Sequence, residues 1–119
     1  MQITIKGRLV SLNEYINAER RNRFLAAKIK KEAQEMVVWQ IKNMPAITEA
    51  SFFHFEWHVS NRKRDPDNIS SYGRKLILDA FVKAGKLEND NLKWVKGFTD
   101  EFVVSGEDKV VVTITTNRL

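Results

Sequence analysis

The chain has 119 residues, of which 43% are hydrophobic and 29% charged, and it contains no cysteine. That length supports one domain with a core but not two, and the lack of cysteine excludes a disulfide framework and thiolate zinc sites while fitting a reducing compartment. The net charge of +5 is unevenly spread: residues 1–45 hold nine Lys/Arg against four acids, whereas residues 46–119 hold eleven of each. A clustered cationic third is the usual electrostatic footprint of a nucleic-acid binder.

Residues 1–10 alternate weakly and read as a strand; they lack the apolar core of a secretion signal. No apolar run approaches the ~18 residues of a membrane span, so the expected location is the cytoplasm and no membrane is expected as a partner. Residues 11–15 read as a loop. Over residues 18–44, Leu25, Ile29, Ala33, Met36, Val37, Ile41 and Met44 recur at spacings of three and four, predicting a helix that stops before Pro45. Its first turns carry Arg20, Arg21, Arg23, Lys28, Lys30 and Lys31. A helix start crowded with cations opposes its own dipole, and phosphate would relieve that repulsion.

Residues 51–60 alternate sharply, with Phe53, Phe55, Trp57 and Val59 on one face and His54, Glu56 and His58 on the other. This predicts a half-buried strand whose aromatic face meets the core. The two histidines and Glu56 suit either the polar face of a sheet or metal ligation. From Asn68 the pattern turns helical again: Ile69, Tyr72, Leu76, Ile77, Ala80, Phe81 and Ala84 form one stripe, and Gly85 is a natural helix end. Lys75 and Asp79, four apart, share another face. A polar turn at residues 88–91 precedes one long or two short strands over residues 94–104, a turn at residues 105–108, and a final strand over residues 110–115. The expected fold is α+β: a single domain spanning residues 1–119, with a small mixed sheet, two main helices packed on one face, and the order β-α-β-α-β-β.

Between the aromatic strand and the second helix lies Arg62-Lys63-Arg64-Asp65-Pro66-Asp67-Asn68. Pro66 biases Asp65 towards extended angles. In an extended segment, residues two apart point the same way, so Asp65 and Asp67 can converge as oxygen ligands for a hard divalent cation. The three preceding cations suit a polyanion. The same residues are also good turn and helix-cap chemistry, so both readings stand on spacing alone. No P-loop, Rossmann glycine pattern, Gly-x-Ser-x-Gly or His-Glu-x-x-His occurs, and no small-molecule cofactor is expected.

One composite pattern is more specific. Arg64 to Asn68, then Lys75-Leu76-Ile77-Leu78-Asp79-Ala80-Phe81-Val82-Lys83-Ala84-Gly85, then Asn89-Asp90, resembles the RusA family of phage and prophage Holliday-junction resolvases. The close match covers about 30 residues, and element order and size agree over the whole chain. The resemblance implies a homodimer that cuts four-way or other branched DNA by paired, symmetric phosphodiester hydrolysis, with magnesium as cofactor and manganese as substitute. By position, the family's metal-binding aspartates fall on Asp65, Asp67 and Asp90, and its essential lysine on Lys75. Arg20, Arg21, Arg23, Lys28, Arg62, Lys63 and Arg64 are then candidates for DNA phosphate contacts. The chain departs from the family in two places. The stretch from Asp67 to Lys75 is about one helical turn longer, which moves the lysine ~5.4 Å along the axis, and the family's acidic pair after the helix is here Asn89-Asp90. The alternative expectation is a non-catalytic branched-DNA-binding module with the same fold.

Overall fold

In the computed structural model, which describes residues 1–117, the periodic stretches become seven elements. They are β1 (Gln2–Lys6), α1 (Leu12–Arg21), α2 (Arg23–Ile41), β2 (Ser51–Val59), α3 (Pro66–Lys83), β3 (Val95–Val104) and β4 (Lys109–Thr115). The strands form one mixed sheet in the order β1-β4-β2-β3. β1 and β2 each pair antiparallel with β4, while β2 and β3 run parallel. A parallel pair needs a crossover of a dozen or more residues, and α3 supplies it.

The fold class is therefore α+β, as the sequence implied, with three helices instead of two. The segment expected to be a loop at residues 11–15 opens α1. Ser11 caps that helix by accepting a hydrogen bond from the Glu14 amide at 3.3 Å, and its hydroxyl also lies 3.2 Å from the Glu14 carboxylate. Asn22, in an extended conformation, separates α1 from α2. Its side-chain oxygen accepts from the amides of Phe24 (2.8 Å) and Leu25 (3.3 Å), so a single residue ends one helix and caps the next. The first strand is shorter than expected because Gly7 turns to a φ of 107° and bonds the Asp108 carbonyl.

The helices cover one face of the sheet. Ile5, Phe53, Phe55, Trp57, Val110, Val112 and Ile114 meet Val37 and Ile41 of α2 and Ile77, Ala80 and Phe81 of α3 in one buried cluster. The ring stacks run from Phe53 through Phe55 to Trp57. A half-buried polar clamp ties α3 to this sheet. The Trp57 indole N–H donates to Asp100 of β3 at 2.8 Å, Arg74 of α3 forms an ion pair with the same carboxylate, and the Arg74 guanidinium lies 4.3 Å from the Phe98 ring centroid. Among the described residues, no helix is long and apolar enough to cross a membrane.

Tyr15 of α1 stacks on Tyr72 of α3, with centroids 4.9 Å apart. The Tyr72 hydroxyl is buried without a hydrogen-bond partner among the described residues. Burial, with Tyr15, Asp79 and Glu19 nearby, pushes its pKa up to about 12 from 10.0. Below pH 10 this phenol is neutral in both folded and unfolded chains. Stability is expected to fall as pH rises from 10 through 12, because only the unfolded form ionises easily there. Phenolate absorbance of the native protein should show a step near 12 that unfolding returns to the ordinary range; if no tyrosine titrates above the ordinary range, this packing is wrong.

Candidate functional site

α3 is the element that positions the candidate residues. Asp65 is its N-cap, at φ −85° and ψ 119°, the extended geometry that Pro66 imposes on the residue before it. One Asp65 oxygen accepts from the amides of Asp67 (2.9 Å) and Asn68 (3.4 Å). Pro66 sits in the first turn, where its missing N–H costs nothing. Asp67 therefore lies inside the helix and not in an extended segment, so the simple i, i+2 alternation does not describe the pair. The Asp67 carboxylate is exposed and makes no hydrogen bond or ion pair among the described residues. Its position in the first turn places negative charge where the helix dipole favours it.

Two turns further on, Lys75 projects from α3 and is 60% exposed. Its ammonium lies 3.1 Å from Asp79 and 3.1 Å from Asp90. The hydrogen bonds to Asp79 and then to Asp90 raise its pKa above the ordinary lysine value. Asp90 reaches this position because α3 ends in a tight left-handed turn. Gly85, at φ 73°, donates to the Val82 carbonyl (3.0 Å), and the Lys86 amide donates to the Phe81 carbonyl (2.8 Å). This Schellman closure reverses the chain and buries Leu87, bringing the turn at residues 88–91 back against the helix.

The structure thus joins Lys75, Asp79 and Asp90 but does not bring Asp90 to Asp65 and Asp67. Lys75 lies eight positions along the helix from Asp67, about 12 Å along the axis. Among the described residues, no group of three or more His, Cys, Asp or Glu stands in a metal-binding arrangement. The physical cause is twofold: α3 holds Lys75 more than two turns from Asp67, and the Lys75 charge draws Asp90 towards itself. Because Lys75 is exposed and Asp90 only partly covered, Asp90→Asn is expected to change folding stability by less than about 1 kcal/mol in a urea titration. A larger loss would make Asp90 a structural residue.

The histidines face the polar side of the sheet. His54 lies 2.6 Å from the Thr99 hydroxyl and 3.2 Å from Glu101; His58 lies 2.9 Å from the Ser105 hydroxyl and pairs with Glu56. Each imidazole is held by a different set of partners, and the two do not converge.

Of the basic candidates, Arg20, Arg21, Arg23, Lys28, Arg62 and Lys63 are all exposed. Lys28 has Glu32 at 3.9 Å on the same face. Arg64 is half-buried, 3.9 Å from Asp108, and so helps hold the loop before α3 against the turn before β4. The break at Asn22 changes the electrostatics of the first group. Arg20 and Arg21 fall in the last turn of α1, where the helix dipole favours cations, and only Arg23 opens α2. Arg74, Asp79 and Asp100 join these residues without a motif in the sequence that marks them as site residues. The four-residue spacing from Lys75 announced the Asp79 contact, whereas nothing local announces the pairing of Arg74 with Asp100, 26 positions away.

No family model matches the chain, and no curated protein matches it in sequence.

Proposed function

We propose that the chain is a RusA-like, magnesium-dependent endodeoxyribonuclease that resolves Holliday junctions by paired cuts, acting as a homodimer in the cytoplasm of a bacterial or phage-infected cell. The observation that carries this reading is the 3.1 Å contact between Lys75 and Asp90. It joins the helix part of the resemblance to its acidic turn, 15 positions away, on the element that Asp65 caps and Asp67 opens.

Asp65, Asp67 and Asp90 offer hard carboxylate oxygens, the donor chemistry that suits magnesium, with manganese as substitute. As they stand they do not form one ligand set, since Asp90 is turned to Lys75. The chain's own residues have separable roles. The Lys75 ammonium neutralises charge on a bound phosphate. The Asp67 carboxylate, unpaired among the described residues, repels phosphate by itself and would help hold the cation if one is bound. Arg62, Lys63 and the arginines at the α1–α2 junction hold the DNA arms through phosphates, largely without regard to sequence. A second copy would sit along β3, which has no outer neighbour among the described strands and carries exposed Phe98, Phe102 and Val104.

The second reading, a non-catalytic branched-DNA-binding module, is favoured by the absence of a metal-binding carboxylate group among the described residues. A four-way junction, a flap and a linear duplex, each incubated in magnesium and in chelator, separate the two. The enzyme cuts the junction in magnesium alone. Junction binding that ignores magnesium, with no cutting, leaves the binding module.

A further inference from the structure

The α1–α2 junction is not used by the acidic site. Residues 19–25 are exposed without interruption. Within them lie Arg20, Arg21 and Arg23, and also Phe24, which is 74% exposed, and Leu25 beside it. An isolated exposed apolar side chain is ordinary on a protein surface. Phe24 differs in its surroundings and in how firmly it is held. The Arg23 guanidinium lies 5.2 Å from its ring centroid, and the Asn22 cap fixes its backbone through the 2.8 Å bond to its amide. Residues 19–31 carry six cations and one acid, Glu19. That acid interacts with the Tyr15 hydroxyl. The corner therefore presents an exposed aromatic ring on a capped backbone, fenced by positive charge.

Charge complementarity selects the occupant. An apolar groove on a protein partner has no need of six cations, whereas nucleic acid offers phosphates for the arginines and base faces for the ring. In paired, stacked duplex those faces are covered, and they become available where stacking is interrupted. We infer that the α1–α2 corner is a base-stacking wedge: Phe24 packs against an unstacked base at a DNA branch point while Arg20, Arg21 and Arg23 hold the flanking phosphates. The wedge deepens the branched-DNA function proposed above and rests on it for the choice of substrate, but it does not require cleavage.

The test uses the full chain in chelator, with a four-way junction carrying the fluorescent base 2-aminopurine at the branch, a linear duplex of the same composition, and vesicles of anionic lipid as a control. The wild-type protein raises the 2-aminopurine signal as the base leaves its neighbours. Phe24→Ala and Phe24→Leu, whose folding is checked by circular dichroism, lose that rise. Phe24→Ala binds the junction about tenfold more weakly or worse while holding the duplex as before. Arg21→Gln weakens binding to both DNAs alike and makes the salt dependence shallower by about one unit. The inference is overturned if Phe24→Ala binds the junction as tightly as wild type, if it weakens duplex binding equally, or if the corner's dependence on Phe24 appears with vesicles and not with DNA. Phe24-dependent junction binding without cleavage in magnesium would remove the enzyme and keep the wedge; cutting that is indifferent to Phe24 would remove the wedge and keep the enzyme.

Discussion

Gly73→Ala is expected to lower the unfolding free energy by about 1–3 kcal/mol, the cost of overpacking a close-packed core. A Cβ at this position would stand 2.6 Å from Cη2 and 2.7 Å from Cζ3 of Trp57. The indole has nowhere to retreat. It is 1% exposed, stacks on Phe55 at 5.5 Å, and is pinned through its N–H to Asp100. Moving it also disturbs Arg74, which shares that carboxylate. Alanine is the better helix former by about 1 kcal/mol, which offsets part of the clash but does not reverse it. The urea midpoint should fall, and the melting temperature should drop by roughly 4 °C for each kcal/mol lost. An unchanged or raised midpoint would mean that α3 stands further from the sheet than described. Since α3 carries Asp65, Asp67 and Lys75, a shift of this helix is also expected to reduce activity in the folded fraction.

The second large effect is on chemistry. On the proposed nuclease function, Asp67→Asn is expected to abolish DNA cutting while leaving junction binding intact or tighter. The carboxylate is exposed and unpaired among the described residues, so removing its charge breaks no contact on which the fold depends. Its backbone amide still bonds to Asp65, and the cap survives. Losing one negative charge beside bound phosphate removes a repulsion, which is why affinity should hold or rise. Strand cleavage on a denaturing gel, paired with a retardation assay in chelator, reads both quantities. A variant that cuts as fast as the parent would show that Asp67 takes no part in the chemistry.

The elements most legible in the sequence were those that carry their own period. Phe53, Phe55, Trp57 and Val59 alternate, and all four are buried; the stripe from Ile69 to Ala84 became α3, and Gly85 ends it at the expected left-handed turn. Lys75 and Asp79 met as their spacing implied. The helix at Leu12–Arg21 was missed although Ser11 and Glu14 stand in capping-box spacing, because a single residue, Asn22, separates it from α2 and the two patterns run together. Strand partners were not legible: alternation shows that a stretch is a strand, but not that β2 lies between β3 and β4. The arrangement of the candidate residues was less legible than the elements that carry them. Pro66 correctly placed Asp65 in extended geometry. The position of Asp90 depended on the helix-ending turn and on the Lys75 charge, which act through space and leave no local period in the chain.

The proposed junction cleavage is tested by incubating the wild-type protein with a four-way junction and magnesium, labelling each of the four strands in turn. Paired nicks at symmetric positions in two opposite strands, absent in chelator, are the predicted result. Intact strands under the same conditions, with the junction stably bound, would contradict it.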